Sequence, residues 1–234
     1  MRADIKGSTM PVLEVQLEDR ESVVSMHGEL SWMTANVHMS QTTKGGGGLF
    51  GTLKRAVGGA GIFLTQYQAK GGEGLVAFAS KVPGHIVPVD VAPGQHFMVH
   101  RHGWLAGTPG VSASVGFQHS FRGGLWSGDG FVLQKLEGQG RAWIELSGEL
   151  SLYNLGPGQT MLVHPGHVGM FEDQVRFKMT MVPGIANKVF GRDGYQLVAL
   201  TGPGQIWLQS LPLPNLAHAL EPYLPQPEGQ SNFG

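Results

Sequence analysis

With 234 residues, of which 41% are hydrophobic and 14% charged, the chain has enough apolar surface for a packed core, which excludes disorder of its main body. Lysine and arginine together number 16 against 17 aspartates and glutamates, and they are scattered, so no concentrated basic face awaits a phosphate backbone. The 37 glycines and 14 prolines exclude long helices, while the absence of cysteine excludes a disulfide framework and a thiolate zinc site and favours the cytoplasm.

The opening MRADIKGSTM has no apolar run of signal-peptide length, and no stretch of ~18 uninterrupted apolar residues follows. Neither a classical signal nor a membrane-spanning helix is expected, and the implied location is cytoplasmic. Short alternating or apolar runs over 11–17 and 22–26 predict the first strands. Residues 44–61, KGGGGLFGTLKRAVGGAG, break the pattern: Leu49, Phe50, Leu53 and Val57 share one face of a possible short helix beside Lys54 and Arg55, a candidate contact for a protein partner or a membrane surface. Strands resume over 62–67 and 75–80.

Next comes a block that occurs twice, over 84–100 and again over 148–164. Gly84, Pro93, Gly94, Gln95, Val99 and His100 recur as Gly148, Pro157, Gly158, Gln159, Val163 and His164. Each copy predicts strand, Pro-Gly turn, strand, because proline presets the second turn position and glycine supplies positive φ at the third. A fainter third copy aligns Leu17, Glu21, Ser25 and Gly28 with Val91, Gln95, Val99 and His102. Further strands are predicted over 111–117, 132–136, 141–146, 175–181, 195–201 and 205–210, with Trp143 and Trp207 read as core. The expected architecture is all-β: a single body over 1–212 built from related units near 10–72, 73–140 and 141–212, then a short helix over 214–224 and a flexible tail within 213–234.

Ten histidines without cysteine raise the question of a metal. His100 and His102, two apart on a strand, share a face and imitate the opening of a cupin motif, with His164 as a third candidate ligand. The glutamate that the cupin pattern wants next is replaced by Gly103-Trp104-Leu105-Ala106-Gly107, and the second half of the motif is missing. The simpler reading makes His100 and His164 equivalent strand-end residues bonded to a turn, so no cofactor is expected. Gly-x-Ser-x-Gly and the phosphate-binding glycine motifs are absent. Glu137, Glu145, Glu149, Glu172 and Asp173 stand apart and read as solvated strand faces. Single-stranded RNA binding through stacked aromatics is a third reading, weakened by the lack of a basic groove.

Taken in order, Gly84-His85-Ile86-Val87-Pro88-Val89 with Pro93-Gly94, Gly128-Asp129-Gly130-Phe131 leading to Leu136-Glu137-Gly138-Gln139-Gly140, Gly148-Glu149 through Leu155-Gly156-Pro157-Gly158, and Gly202-Pro203-Gly204-Gln205-Ile206-Trp207 resemble the altered-inheritance-of-mitochondria family from about Leu13 to Leu211. The resemblance implies a duplicated TRAP-like, double-stranded β-helix type of fold and a homo-oligomer, specifically a trimer. Mitochondrial members are linked to inner-membrane organisation, and the absence of an Arg-rich targeting segment implies a bacterial cytoplasmic member. The functional expectation is a non-enzymatic oligomeric β scaffold acting on a protein partner or a membrane surface. Its rivals are a cupin-like metalloprotein and an RNA-binding protein.

Overall fold

The structure, a computed structural model, describes residues 1–42, 64–119, 131–181 and 196–225. They form nineteen strands, all paired antiparallel, and one α-helix. A leading strand β1 (Arg2–Lys6) precedes a first group: β2 (Val12–Leu17), β3 (Ser22–Met26), β4 (Trp32–Met33), β5 (Val37–Thr42), β6 (Leu64–Ala69) and β7 (Gly74–Ala79). A second group holds β8 (Gly84–Val91), β9 (Phe97–His100), β10 (Trp104–Gly107), β11 (Val111–His119), β12 (Phe131–Gly138) and β13 (Gly140–Ser147). The third holds β14 (Leu150–Leu155), β15 (Thr160–Val163), β16 (Val168–Glu172), β17 (Arg176–Met181), β18 (Gln196–Thr201) and β19 (Gly204–Gln209). Helix α1 (Leu213–Leu220) and a 3₁₀ turn (Glu221–Tyr223) follow, with no buried residue in either.

One pairing scheme serves all three groups. The first strand pairs with the sixth, the second with the fifth, the third with the sixth and the fourth with the fifth. Between the second and third groups the register is the same after a shift of 64 on both strands: Val91 opposite Gly140 becomes Leu155 opposite Gly204, and Val99 opposite Gln134 becomes Val163 opposite Val198. Even the irregularity in β10 between Trp104 and Ala106 recurs in β16 between Val168 and Met170. Gly94 and Gly158, the glycines of the two Pro-Gly turns, hold φ of 82° and 76°, where a side chain would be strained.

The groups are joined edge to edge. The sheet orders are β1-β2-β7-β4, β5-β6-β3-β10-β13-β8, β11-β12-β9-β16-β19-β14 and β15-β18-β17. Each long sheet therefore runs from one group into the next, through β3–β10 and then β9–β16. Each group folds as a sandwich around its own core, and that core also takes in residues of a neighbour. Leu13, Val15, Tyr67, Val76 and Phe78 pack with Leu105, Ala106 and Trp143 of the second group. Val91, Val99, Ile144 and Leu146 pack with Met170 and Trp207 of the third. The last core gathers Val163, Val198, Leu200 and Ile206 with Phe131 and Leu133. Each such fully buried aliphatic or aromatic side chain contributes roughly 1.5–3 kcal/mol by leaving water.

Strand β2 shows why the alternation was readable: Leu13, Val15 and Leu17 are buried, while Glu14 is half-buried and Gln16 exposed. Where a long sheet is covered on both faces the alternation is lost. All four residues of β10 and the last six of β13 are buried. Pro88 sits in β8, which among the described residues pairs only with β13 at the edge of its sheet, where proline is tolerated.

Candidate functional site

A buried polar cluster surrounds Glu145, in the middle of β13. Burial of both faces of that strand leaves Glu145 only 4% exposed, which corrects its sequence reading as part of a solvated face. One carboxylate oxygen accepts the backbone N–H of Lys81 at 2.8 Å, tying the approach to β8 onto the centre of its partner strand. The Glu145 N–H donates to the Gly103 carbonyl at 2.7 Å, and the Glu145 carbonyl accepts from His100 Nε2 at 3.0 Å. Lys81 in turn places its ammonium 2.5 Å from Glu29. Desolvation raises the Glu145 pKa; the Lys81 amide bond and charge oppose it, and the Glu29 charge adds to it.

His100 is set by the same surroundings. Because a carbonyl only accepts, the bond to Glu145 fixes the proton on Nε2. Burial holds the imidazole pKa down to about 4, against the opposing pull of that hydrogen bond and with the help of the nearby His102 and Lys81 charges. The ring lies so close to the following turn that a Cβ on Gly103 would stand 2.7 Å from it and 2.6 Å from Val99 Cγ1. Position 103 is therefore where the packed imidazole requires glycine, and a glutamate near this point has no room.

His164, at the repeat position of His100, packs edge-on against His167 with ring centroids 5.9 Å apart. Burial first, and then the His167 charge, lower its pKa. His167 Nδ1 donates to the Gln209 carbonyl at 2.8 Å. Among the described residues no three His, Cys, Asp or Glu side chains gather into a group able to hold a metal ion, so His100, His102 and His164 are not brought together into one. Leu49, Phe50, Leu53, Lys54, Arg55 and Val57 lie outside the described residues.

Gln209 occupies in β19 the place of Glu145 in β13, 64 residues earlier. It is 6% exposed. Its Oε1 accepts the Ser147 N–H at 3.0 Å and its Nε2 donates to the Gly166 carbonyl at 3.0 Å. Acid and amide thus perform the same task, holding the backbone that leads into the first strand of their group. Sequence reasoning missed both, although polar residues at one repeat position inside apolar strands were the available signal.

A cleft of about 430 Å³ lies outside this cluster, between β1 and the β8–β13 pair. Ile5, Pro88 and Trp143 line it together with Asp90 and Arg141. The last two face each other across β8 and β13, with Nε to Oδ1 at 2.8 Å and Nη2 to Oδ2 at 3.2 Å. Arg141 lowers the Asp90 pKa through this hydrogen bond, and Asp90 raises that of Arg141. Both are exposed, so solvent screens the pair.

The family model described as mitochondrial biogenesis AIM24 matches residues 3–211. The chain is also similar to an uncharacterized protein of Streptococcus pyogenes serotype M6, 26% identical over 225 residues, covering 94% of this chain and 89% of that one. Among solved structures it is similar to the X-ray crystal structure of the Streptococcus pyogenes protein SPYM3_0169, with a TM-score of 0.74 and 26% identity, covering 95% of this chain and 99% of that one. No helix among the described residues is long and apolar enough to cross a membrane.

Proposed function

Because the chain belongs to the mitochondrial biogenesis AIM24 family, we propose that it is a non-enzymatic β scaffold, assembled from copies of itself in the cytoplasm, that engages a protein partner or a membrane surface. The observation that carries this reading is how the buried polar side chains are spent. Glu145, His100 and Gln209 each bond to backbone: Glu145 and Gln209 hold the approaches to β8 and β14, and the half-buried His100 is bonded to the Glu145 carbonyl within β13. Chemistry would need such groups aimed at a substrate, with pKa values matched to proton transfer near neutrality. His100, at about 4, is instead kept neutral and internal.

The composition of the segments between strands supports a partner contact. The three internal segments 43–63, 120–130 and 182–195 each join the fourth strand of a group to its fifth. Each combines glycine, basic and aromatic residues: Phe50, Lys54 and Arg55; Phe121, Arg122 and Trp126; Lys188, Phe190 and Arg192. Such a composition, repeated at one position of every group, suits weak contacts made several at a time to a common surface.

Two measurements test the reading. Native mass spectrometry of untagged protein is expected to give a homo-oligomer without a retained ion or small molecule; a stoichiometric ligand would sink the scaffold and promote a pocket. Co-sedimentation with liposomes containing anionic lipid is expected to pull down wild type and to lose the variant lacking 44–61. If both stay in solution, the membrane version fails and the protein-partner version stands.

A further inference from the structure

The first strands of the first two groups, β2 and β8, pair with the sixth strands of their groups in the same hydrogen-bonding phase. The Ser80 N–H donates to the Pro11 carbonyl at 2.9 Å and the Gly148 N–H to the Pro83 carbonyl at 2.7 Å. Because bonded and non-bonded pairs alternate, Leu13, Val15 and Leu17 in β2, and Val87, Val89 and Val91 in β8, are the residues bonded to the sixth strand. The residues between them turn their backbone groups outward: Val12, Glu14 and Gln16 in β2, Ile86, Pro88 and Asp90 in β8. In β2 that outer edge is taken by β1, with Lys6, Asp4 and Arg2 opposite Val12, Glu14 and Gln16. Among the described residues β8 is hydrogen-bonded only to β13, so its equivalent edge is open.

This open edge borders the cleft of about 430 Å³, where Ala3 and Ile5 of β1 face Pro88, Asp90 and Arg141, with Trp143 beneath. One layer of the sandwich ends in the added strand β1 while the layer facing it stops at β8, and Ile5 is left 40% exposed. Charge distinguishes the two sides of Asp90. Arg141 uses its Nε and Nη2 on that carboxylate, whose side chain remains 75% exposed. A carboxylate has lone pairs for a second donor, so Asp90 can take another cation from the open side. The β1–β2 pair already uses this chemistry: Lys6 Nζ lies 2.5 Å from Glu14, and Arg2 stands opposite Gln16, which has in β2 the place of Asp90 in β8.

We propose, resting on the reading that the chain engages a protein partner, that an extended segment of that partner adds antiparallel to the outer edge of β8, as β1 adds to β2. Its residue opposite Asp90 is lysine or arginine, and the residue two further on, opposite Pro88, is valine, isoleucine or leucine. The first continues the Arg141–Asp90 row as a cross-strand ion pair. The second lies over the apolar part of the cleft and covers Ile5. Proline has no N–H, so the segment is held at Pro88 by one backbone bond where Asp90 supplies two. Strand addition of this kind draws affinity from main-chain bonds and specificity from alternate side chains.

The probe is the acetylated and amidated peptide Ser-Thr-Lys-Thr-Val-Thr-Ser-Gly, titrated into the full chain at low salt and followed by amide NMR signals. A second peptide carries Glu in place of Lys. The Lys peptide is expected to shift the Ile86 and Asp90 amides and to bind about tenfold tighter than the Glu peptide, since an opposite-charge pair replaces a like-charge one. N-methylation of its Lys removes the N–H aimed at the Asp90 carbonyl and is expected to abolish binding, whereas N-methylation of the Thr that follows leaves it intact. Asp90→Asn, at an exposed site whose ion pair adds little to stability, is expected to erase the preference for Lys while leaving the urea midpoint unchanged. No shift at β8 with either peptide at millimolar concentration overturns the proposal, as does equal affinity for the two or indifference to methylation of the Lys. The scaffold reading survives any of these results, because it rests on the native mass spectrum and the liposome assay.

Discussion

Replacing Trp143 with alanine probes whether the groups are welded by indoles or merely tethered by strands. A tryptophan side chain buries up to about 200 Å², and with 2% exposure Trp143 leaves almost none of this in water. At about 25 cal/mol per Å² the lost burial amounts to about 5 kcal/mol as an upper estimate, within the ~3–5 kcal/mol usual for Trp→Ala in cores. Trp32, 47% exposed, has roughly half as much to lose in the isolated chain, about 2–3 kcal/mol on the same scale. Urea denaturation followed by far-ultraviolet circular dichroism, at a concentration where wild type is monomeric, is the assay. Trp143→Ala is expected to be destabilised by about 2 kcal/mol more than Trp32→Ala. Because Trp143 belongs to the core of the first group while sitting on β13 of the second, its loss is also expected to split the transition into two phases as coupling between neighbouring groups weakens. If the two variants fall within about 0.5 kcal/mol of each other, with one transition each, the indoles do not join the groups and the reasoning fails.

Three further outcomes follow from the Glu145 cluster. His100, held to about 4 against an ordinary 6.5, stays neutral while an unfolded imidazole takes up a proton, so its contribution is complete above about 6.5 and is lost as pH falls toward 4. His100→Gln should flatten that part of the urea-midpoint profile, and an NMR titration showing His100 protonating near 6.5 would refute its burial. Glu145 has the opposite sign: its raised folded pKa contributes stability below 4.5 that is lost as pH rises through the folded value. Glu145→Gln should therefore gain on wild type between pH 4.5 and 7, and equal midpoint differences at the two pH values would contradict this. Gly103→Ala drives a methyl against Val99 and the anchored His100 ring and should cost roughly 1–3 kcal/mol in the same denaturation assay, whereas a neutral result would mean that the ring is free to move.

What the sequence made legible was set by how each strand is covered. β2 and β17, which alternate, and β3, a short apolar run covered on both faces, have predicted bounds within a residue or so of those observed. The short β4 and the polar β5 carry too little apolar signal to be seen. β10 hid within the glycine-flanked Trp104-Leu105-Ala106, which was weighed only as a failed cupin motif. The offset of 64 marked the repeated block, but its pairing partners, 33 to 63 residues away along the chain, could not be read from it. Trp143 and Trp207 were correctly placed in the core. Glu145 was not: its recurrence as Gln209 64 residues on marked the position, but neither residue shows in sequence the backbone N–H that it accepts.

The comparison of Glu145 with Gln209 separates geometry from charge. Both stand at one place in the pairing scheme, both are buried, and both accept a backbone N–H from the segment leading into the first strand of their group. Were ionisation essential at that place, an amide could not stand in for the acid; a hydrogen-bond acceptor of the right length is all the two sites share. The same separation applies to His100 and His164, which share a position but not a partner, one bonded to the Glu145 carbonyl and the other packed on His167. Repeated positions in this chain thus maintain backbone connections, while differences between the groups collect where a neighbour is present or missing. Trp32 and Ala77 reverse the order of Ala106 and Trp143 at the equivalent pair of the first group.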